Sequence, residues 1–284
     1  MRLIDLRLLI YMQDYKTINQ TAWDKKAGIH FESDFYDVKG FLEGKTSLQS
    51  IELALLGDIV GKKILHLQCH FGQDSISLAR MGADVVAVDF SKEAIALANE
   101  LYQKERLQNP NLGKVTFICA DIFDLPSLLD TKFDLVFTTY GTIGWFPDLE
   151  EWAAMIANYL KPKGRFVFAE FHPVVWMYDN DFQQVAYNYF KDEPIVEVLE
   201  GTYAKKDAEV VFDTITWNHS LSEVFGVLLK NNLQVIDFQE YNFSPYDCLS
   251  GMEKIGERKF QLKVFGNKIP LVYSLVMRKG RVFL

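Results

Sequence analysis

Short apolar runs alternate with helical patterns through the middle of the chain. The runs lie at residues 63–67, 83–88, 115–119, 133–138 and 165–171, and a turn follows each of them. Short apolar runs bounded by turns are typical of buried strands, whereas the intervening stretches show the apolar spacing of helices. Strands that are apolar on both faces and joined by helices form a parallel sheet covered on both sides. The pattern therefore predicts an α/β, Rossmann-like, doubly wound fold.

The helices of this unit are predicted at residues 74–81, 92–106 and 149–160. Ser91 precedes the second of them, and serine is a favoured N-cap residue because its hydroxyl accepts a hydrogen bond from a free backbone N–H. We therefore expect Ser91 to begin that helix.

The regular alternation is absent at both ends of the chain. Residues 13–60 mix polar and aromatic positions and predict two or three short helices, whereas the aromatic-rich stretch after residue 172 is interpreted as an insertion that forms a lid. A helix at 221–231 and strands at 233–240 and 270–277 predict an antiparallel hairpin at the sheet edge. The predicted parts are a helical cap (1–60), a Rossmann-like core (61–172), a lid (173–219) and a segment that completes the sheet (220–284).

Composition excludes several classes of protein. The chain has 284 residues, of which 49% are hydrophobic and 24% charged, as in ordinary folded domains. Its 30 basic and 38 acidic side chains give a net charge of −8, and a negative surface repels the phosphates of nucleic acid. We expect no nucleic-acid partner.

Cysteines and the N-terminus indicate the compartment. Cys69, Cys119 and Cys248 are too few and too scattered for a disulfide framework or a zinc site, so we expect reduced thiols, no metal and a cytoplasmic location. Residues 1–12 lack a signal-peptide cleavage site, and no apolar run is long enough for a membrane helix, so no membrane partner is expected. Either Met1 or Met12 is a possible start.

Candidate ligand-binding residues lie where the predicted strands end. In open parallel sheets, ligands bind outside the carboxyl ends of the strands. The loop after the first strand leads into a helix, whose N-terminus can receive a carboxylate. An acid after the second strand, Asp89, can accept hydrogen bonds from both ribose hydroxyls. The residues of the first loop that we expect to contact the ligand are Gln68, Cys69, His70, Phe71, Gly72 and Asp74.

The next two strand ends complete an adenosyl pocket. Asp121 follows the third strand and can bind an exocyclic adenine amine, while Phe90 and Ile122 enclose the adenine ring. Thr139 and Tyr140 follow the fourth strand, where the reactants would meet.

At these positions the chain resembles the class I S-adenosylmethionine-dependent methyltransferases, in particular a bacterial branch with a Leu-Gln-Cys-His loop. The resemblance implies a seven-stranded sheet with a reversed terminal strand, and methyl transfer from S-adenosylmethionine, which leaves S-adenosylhomocysteine. The resemblance is carried by residues 64–72, 86–91, 119–121, 133–136 and 160–164, together with the terminal hairpin.

The first loop departs from the family pattern. The family usually has an acid at the place of His66 and glycines at the places of Gln68 and His70, and only Gly72 is retained. Non-glycine residues tolerate positive φ poorly, although histidine is enriched there. Either the loop follows another path, or His70 contacts the methionine carboxylate.

The acceptor is expected beside the ends of the fourth and fifth strands, where Trp145, Phe146 and His172 lie and where the family places it. From the N-terminal part, Trp23 and Tyr36 are predicted to close over the site. Methyl transfer requires alignment and exclusion of water, with no metal and no covalent nucleophile.

A base is needed only if the acceptor is a hydroxyl or a charged amine. By position, His172 is the first candidate for this base, Glu170 and Tyr140 follow, and His219 is the last candidate.

Two other functions stay open. A nicotinamide-dependent dehydrogenase would also use an acid at Asp89, but it requires a Gly-x-Gly-x-x-Gly sequence that residues 68–72 lack. A non-catalytic adenosyl-binding regulator would keep Asp89 and Asp121 without room for an acceptor. The sequence Thr138 to Gly141 differs from the Pro-Pro pattern of nucleic-acid amino-methyltransferases, which favours a small-molecule acceptor, methylated on N or O. A protein acceptor stays possible, as does either a monomer or a homodimer.

Overall fold

The computed structural model of the chain describes residues 6–280, with side chains from residue 14 onward. The prediction about the start of the chain falls partly on residues 1–5, which lie outside the described residues. Between residues 6 and 280, none of the helices combines the length and apolar character that a membrane crossing requires.

Eight α-helices and eleven strands make up the described part of the chain. The helices are α1 (Leu6–Phe31), α2 (Val38–Leu42), α3 (Ser50–Leu56), α4 (Gln73–Arg80), α5 (Lys92–Gln108), α6 (Leu125–Leu128), α7 (Glu150–Tyr159) and α8 (Leu221–Lys230). The strands are β1 (Lys63–Leu67), β2 (Asp84–Asp89), β3 (Val115–Cys119), β4 (Phe133–Thr139), β5 (Leu160–Phe171), β6 (Ile195–Glu200), β7 (Val211–Thr216), β8 (Leu233–Tyr241), β9 (Met252–Gly256), β10 (Lys259–Leu262) and β11 (Val272–Lys279).

Seven of the strands form the central sheet, in the order β3-β2-β1-β4-β5-β11-β8. Strands β1 to β5 pair in parallel, whereas β11 pairs antiparallel with both β5 and β8. The predicted fold class, a mostly parallel seven-stranded sheet with an antiparallel terminal strand, is confirmed.

The core lies on both faces of this sheet. One face buries the rings of Trp152, Phe166 and Phe168, and the other buries Ile64 and Phe137. These strands are apolar on both faces because helices cover both sides. Within the core, the predicted bounds of β1 and β3 agree with the structure, and the Ser91 hydroxyl accepts the Ala94 N–H as the N-cap of α5.

The prediction of two or three short helices over residues 13–60 is wrong for its first part. A single helix of 26 residues, α1, occupies positions 6–31, and only α2 and α3 are short. Helix α1 packs against α5 on one side and against β7 on another. Because two elements cover it, α1 has no single apolar stripe from which its length could be predicted.

Residues after β5 form two small antiparallel hairpins outside the main sheet. Strands β6 and β7 pair with each other, and β9 pairs with β10. Asn19 of α1 joins the first hairpin to the N-terminal part, because its amide exchanges two hydrogen bonds with the Ile215 backbone at 2.8 and 2.9 Å. The division of the chain into cap, core, lid and terminal segment stays a prediction.

Candidate active site

A large cavity opens where the carboxyl ends of β1 to β5 meet α1 and the β6–β7 hairpin. Its volume is about 1010 Å³, at the upper end of the range of roughly 300–1,000 Å³ for small-molecule sites. Every residue predicted to contact the donor lines this cavity. The cavity has space for a second ligand beside an adenosyl compound.

The loop after β1 turns tightly although it contains only one glycine. The backbone of Gln68, His70 and Gly72 has positive φ, at 53°, 50° and 77°. The backbones of Gln68 and His70 therefore hold a left-handed conformation, which costs a residue with a side chain about 1–2 kcal/mol. Only glycine fits at the third position, because a Cβ on Gly72 would lie 2.5 Å from the Phe117 ring. Strained backbone of this kind concentrates at functional sites.

Two bonds hold the strained residues in place. The Gln68 amide donates to the Thr142 carbonyl at 2.9 Å, and the His70 backbone N–H donates to Asp89 Oδ2 at 2.8 Å. The His70 ring lies with Nε2 3.1 Å from His30 Nδ1, while its Nδ1 has no partner among the described residues. Desolvation, with His30 and Lys26 nearby, keeps the pKa of His70 well below its usual value, so this ring is neutral.

Asp89 lies at the end of β2 and is 8% exposed. Its Oδ1 accepts the Ser91 N–H at 2.9 Å, and its Oδ2 accepts the His70 N–H. Burial raises the pKa of Asp89 to about 6, against the opposing effect of these N–H groups, so the carboxylate is charged at pH 7. Since each oxygen can accept a further bond, Asp89 can still receive a diol. Ser91, rather than Asp89, provides the N-cap of α5.

The predicted adenine contacts also meet at the cavity wall. Asp121 is fixed on two sides, because Oδ1 accepts the Phe123 N–H at 3.0 Å and Oδ2 pairs with Lys16 Nζ of α1 at 2.6 Å. Ile122 is buried, Phe90 is partly buried, and both line the cavity. Cys69 is also buried, which keeps the pKa of its thiol well above the usual value and leaves it protonated.

Glu170, a candidate base, instead organises the loop after β4. Its Oε1 accepts the backbone N–H groups of Gly141 and Phe171, and its Oε2 accepts those of Thr142 and Ile143 together with the Thr142 hydroxyl. Burial raises the pKa of Glu170, and the backbone N–H groups oppose that rise. All of these partners are donors, so the carboxyl is held as the anion. Its acceptor capacity is filled, which leaves no lone pair for a substrate proton.

The prediction that His172 is the base is corrected by its position. His172 does not line the cavity; its Nε2 lies 3.0 Å from Glu240 Oε1 on β8, and its ring packs against Tyr273 of β11. Strand pairing continues past the end of β5, since the His172 N–H donates to the Leu271 carbonyl. This pairing directs the ring towards the antiparallel strands and away from the site.

His219, the last candidate, lines the cavity with an oxygen atom near each of its ring nitrogens. Its Nε2 lies 2.9 Å from the Phe146 carbonyl oxygen and its Nδ1 lies 3.1 Å from Glu223 Oε1.

Tyr140 is the remaining candidate for the base, and it has a hydrogen-bond partner that the sequence did not indicate. Its hydroxyl donates to Glu52 Oε2 at 2.8 Å, and Glu52, on α3, is fully buried. Burial, with the charge of Asp74 as a second cause, raises the pKa of Glu52 to about 7. The other oxygen of Glu52 has no hydrogen-bond partner within the described part of the chain. Nothing in the sequence around Glu52 resembles a motif.

Aromatic rings form the wall beside the β1 loop, where the ring centroids of Trp23 and His70 lie 5.3 Å apart. The ring centroids of Trp23 and Trp145 lie 5.4 Å apart, and the indole N–H of Trp145 donates to the Gly141 carbonyl at 2.7 Å. The Tyr36 hydroxyl lies 2.6 Å from that of Tyr203. Phe146 also lines the cavity, so the structure gathers all the predicted acceptor contacts except His172.

Lys26 of α1 is a cavity residue that sequence analysis missed. It is 5% exposed, and its Nζ lies 4.5 Å from the ring centroids of both Trp23 and Phe212 and 5.3 Å from that of Trp145. No carboxylate of the described residues pairs with it. Burial lowers the pKa of Lys26 to about 8, so the side chain is still mostly protonated at pH 7.

Topology and site together define a Rossmann-like domain with an acid at the end of the second strand. Comparison with protein families agrees, because residues 65–168 match the family described as "Methyltransferase domain". Residues 65–168 of the chain are therefore similar to a methyltransferase domain, and this match agrees with the resemblance seen in the sequence.

Curated relatives share this domain over part of their length. A magnesium-protoporphyrin O-methyltransferase from Rhodobacter capsulatus is 38% identical over 95 residues, which cover 33% of this chain and 39% of the relative. A demethylmenaquinone methyltransferase from Clavibacter sepedonicus is 34% identical over 116 residues, covering 40% and 42%. The chain thus spans about two fifths of the length of these two relatives.

Solved structures agree in fold over most of the chain. An S-adenosylmethionine-dependent methyltransferase from Clostridium acetobutylicum has a TM-score of 0.56 at 20% identity and covers 92% of this chain and 100% of its own. One from Methanosarcina mazei also has a TM-score of 0.56, at 18% identity, covering 82% and 98%. At these identities the likeness shows the fold alone.

Proposed function

We propose that this chain transfers the methyl group of S-adenosylmethionine to a nitrogen or oxygen atom of a small molecule. The observation that carries the proposal is the Asp89 carboxylate, which is charged, buried and bonded to the strained β1 loop at the mouth of a cavity large enough for two ligands. A non-catalytic regulator would not need the second space.

The donor would lie along the strand ends. Asp89 would accept the ribose hydroxyl protons, and Phe90 with Ile122 would enclose the adenine, with Asp121 at the ring's amine. The β1 loop and the free Nδ1 of His70 would receive the methionine end. A carboxylate suits that position because the loop leads into the N-terminus of α4.

Catalysis would consist mainly of alignment. Bound S-adenosylmethionine supplies a methyl group on a sulfonium, and the acceptor atom forms a bond to that methyl carbon as the carbon–sulfur bond breaks. The protein has to hold both molecules in line and exclude water, which is the role we assign to α1 and to the β6–β7 hairpin over the cavity.

Tyr140 and Glu52 would remove a proton where the acceptor carries one. The Tyr140 hydroxyl donates its hydrogen to Glu52, so its oxygen keeps lone pairs for a proton from the acceptor. As that proton arrives, the tyrosine hydrogen moves to Glu52. A carboxyl with a pKa of about 7 suits this exchange near neutral pH.

The wall formed by Trp23, Trp145 and Phe146 favours an aromatic or apolar acceptor, because flat rings stack on such surfaces. The two relatives are named for magnesium-protoporphyrin and demethylmenaquinone, which are also small molecules. The free thiols Cys69, Cys119 and Cys248 support the cytoplasmic location, and the chain would act there as a monomer or a homodimer.

Transfer can be tested with methyl-labelled S-adenosylmethionine and a library of aromatic metabolites, with S-adenosylhomocysteine formation as the readout. We expect label in at least one acceptor, and much less label with an Asp89→Ala variant at a donor concentration below saturation. Binding of S-adenosylhomocysteine without transfer to any acceptor would favour the regulator, and binding of NAD in its place would favour the dehydrogenase.

A further inference from the structure

Lys26 is a buried cation with no carboxylate beside it in the described part of the chain. Lysine is almost never fully buried without a partner, because removal of its charge from water is costly. The rings of Trp23, Trp145 and Phe212 surround the ammonium at cation–π distance, but such contacts compensate only part of its lost hydration. The side chain nevertheless lines the cavity, so a ligand can reach it.

The titratable groups near Lys26 cannot supply the missing charge. His30 and His70 both lose part of their basicity to the nearby ammonium, after the larger effect of burial. Burial lowers the pKa of His30 to about 3, and that of His70 lies well below its usual value, so both rings are neutral. A neutral imidazole brings no negative charge.

We propose that Lys26 is the receptor for a carboxylate of a bound small molecule, an inference that rests on the proposed function of the cavity. Two sources exist, an acid group on the methyl acceptor and the methionine carboxylate of the donor. The rings around Lys26 favour the acceptor, because Trp145 follows β4, where the reactants meet, and Phe212 belongs to the β6–β7 hairpin.

The test uses the full chain saturated with S-adenosylhomocysteine and two probes of matched shape, 1-naphthoate and the neutral 1-naphthamide. Binding is measured by calorimetry and by the quenching of tryptophan fluorescence. Wild type should bind the naphthoate at least about tenfold more tightly than the amide, because a hydrogen bond to a charged group is worth about 1.5–3 kcal/mol. Lys26→Met should lose this preference.

Lys25→Met is the matched control, because Lys25 is an exposed neighbour on α1 that donates to the Val211 carbonyl. It should keep the preference for the naphthoate. A second arm compares S-adenosylhomocysteine with 5′-methylthioadenosine, which lacks the amino-acid carboxylate. If Lys26→Met weakens only the former, the donor supplies the carboxylate.

A thermal measurement keeps the test independent of folding defects. Without ligand, Lys26→Met should melt about 5 °C above wild type, because it removes an uncompensated buried charge. If Lys26→Met changes the binding of neither carboxylate, the inference is overturned. If wild type binds no S-adenosylhomocysteine at all, the proposed function itself fails, which is a distinguishable result.

Discussion

Replacement of Glu170 by glutamine should destabilise the chain because the carboxylate holds the loop after β4 entirely through donors. In the variant, an NH₂ group replaces one carboxylate oxygen, and this group cannot accept hydrogen bonds from the N–H groups around it. If the amide oxygen takes the place of Oε2, the backbone N–H groups of Gly141 and Phe171 lose their acceptor. Each unsatisfied buried donor costs about 1–3 kcal/mol, so the free energy of unfolding should fall by about 3 kcal/mol.

Urea denaturation at pH 7 measures this fall. Glu240→Gln is the matched control, because the Glu240 side chain is 47% exposed and its one charged partner among the described residues is His172, so its loss should cost about 1 kcal/mol or less. The same loop carries Trp145, so Glu170→Gln should also reduce methyl transfer. A loss below about 1 kcal/mol, no larger than that of the control, would refute the reasoning.

Two further predictions concern buried groups around the cavity. Glu52 has a pKa of about 7 in place of its usual 4.5, so the folded state binds more protons between these values and loses stability as pH rises through them. Glu52→Gln has no carboxyl to titrate and does not lose stability in this way. In urea denaturation its free energy of unfolding relative to wild type should therefore rise by about 3 kcal/mol between pH 4.5 and pH 8. A difference that stays constant over this range would contradict the raised pKa of Glu52. Asn19→Ala removes both hydrogen bonds to Ile215 and should cost about 2 kcal/mol or more in the same assay. Thr21→Ala, which loses one exposed bond within α1, is its control, and equal losses would exclude a docking role for Asn19.

The core of the fold could be predicted because its signals are local. Each parallel strand is a short apolar run, and Ser91 begins α5 through its own hydroxyl. That the proposed donor contacts would line one cavity could also be predicted, since the topology of an open parallel sheet brings the strand ends together wherever the intervening helices lie. The positions of Asp89 and Asp121 at this edge of the sheet follow from that rule alone.

The rest depends on contacts between distant parts of the chain. Lys26 and Glu52 lie on helices with no motif, and they reach the site because α1 and α3 pack over the strand ends. His172 was misplaced because its neighbours Glu240 and Tyr273 come from strands far along the chain. The β1 loop keeps its tight turn without glycines at positions 68 and 70, because Gln68 donates to the Thr142 carbonyl and the His70 N–H donates to Asp89.

The central claim is that Asp89 holds the ribose of an adenosyl donor. Calorimetric titration with S-adenosylhomocysteine tests it most directly, with NAD as the control ligand. Asp84→Ala, at the exposed start of the same strand, serves as the control variant. Loss of even one hydrogen bond to the charged Asp89 is worth about 1.5–3 kcal/mol, so Asp89→Ala should weaken binding about 10- to 100-fold while Asp84→Ala leaves it unchanged. Binding that Asp89→Ala does not alter, or no binding of S-adenosylhomocysteine by wild type, would contradict the account.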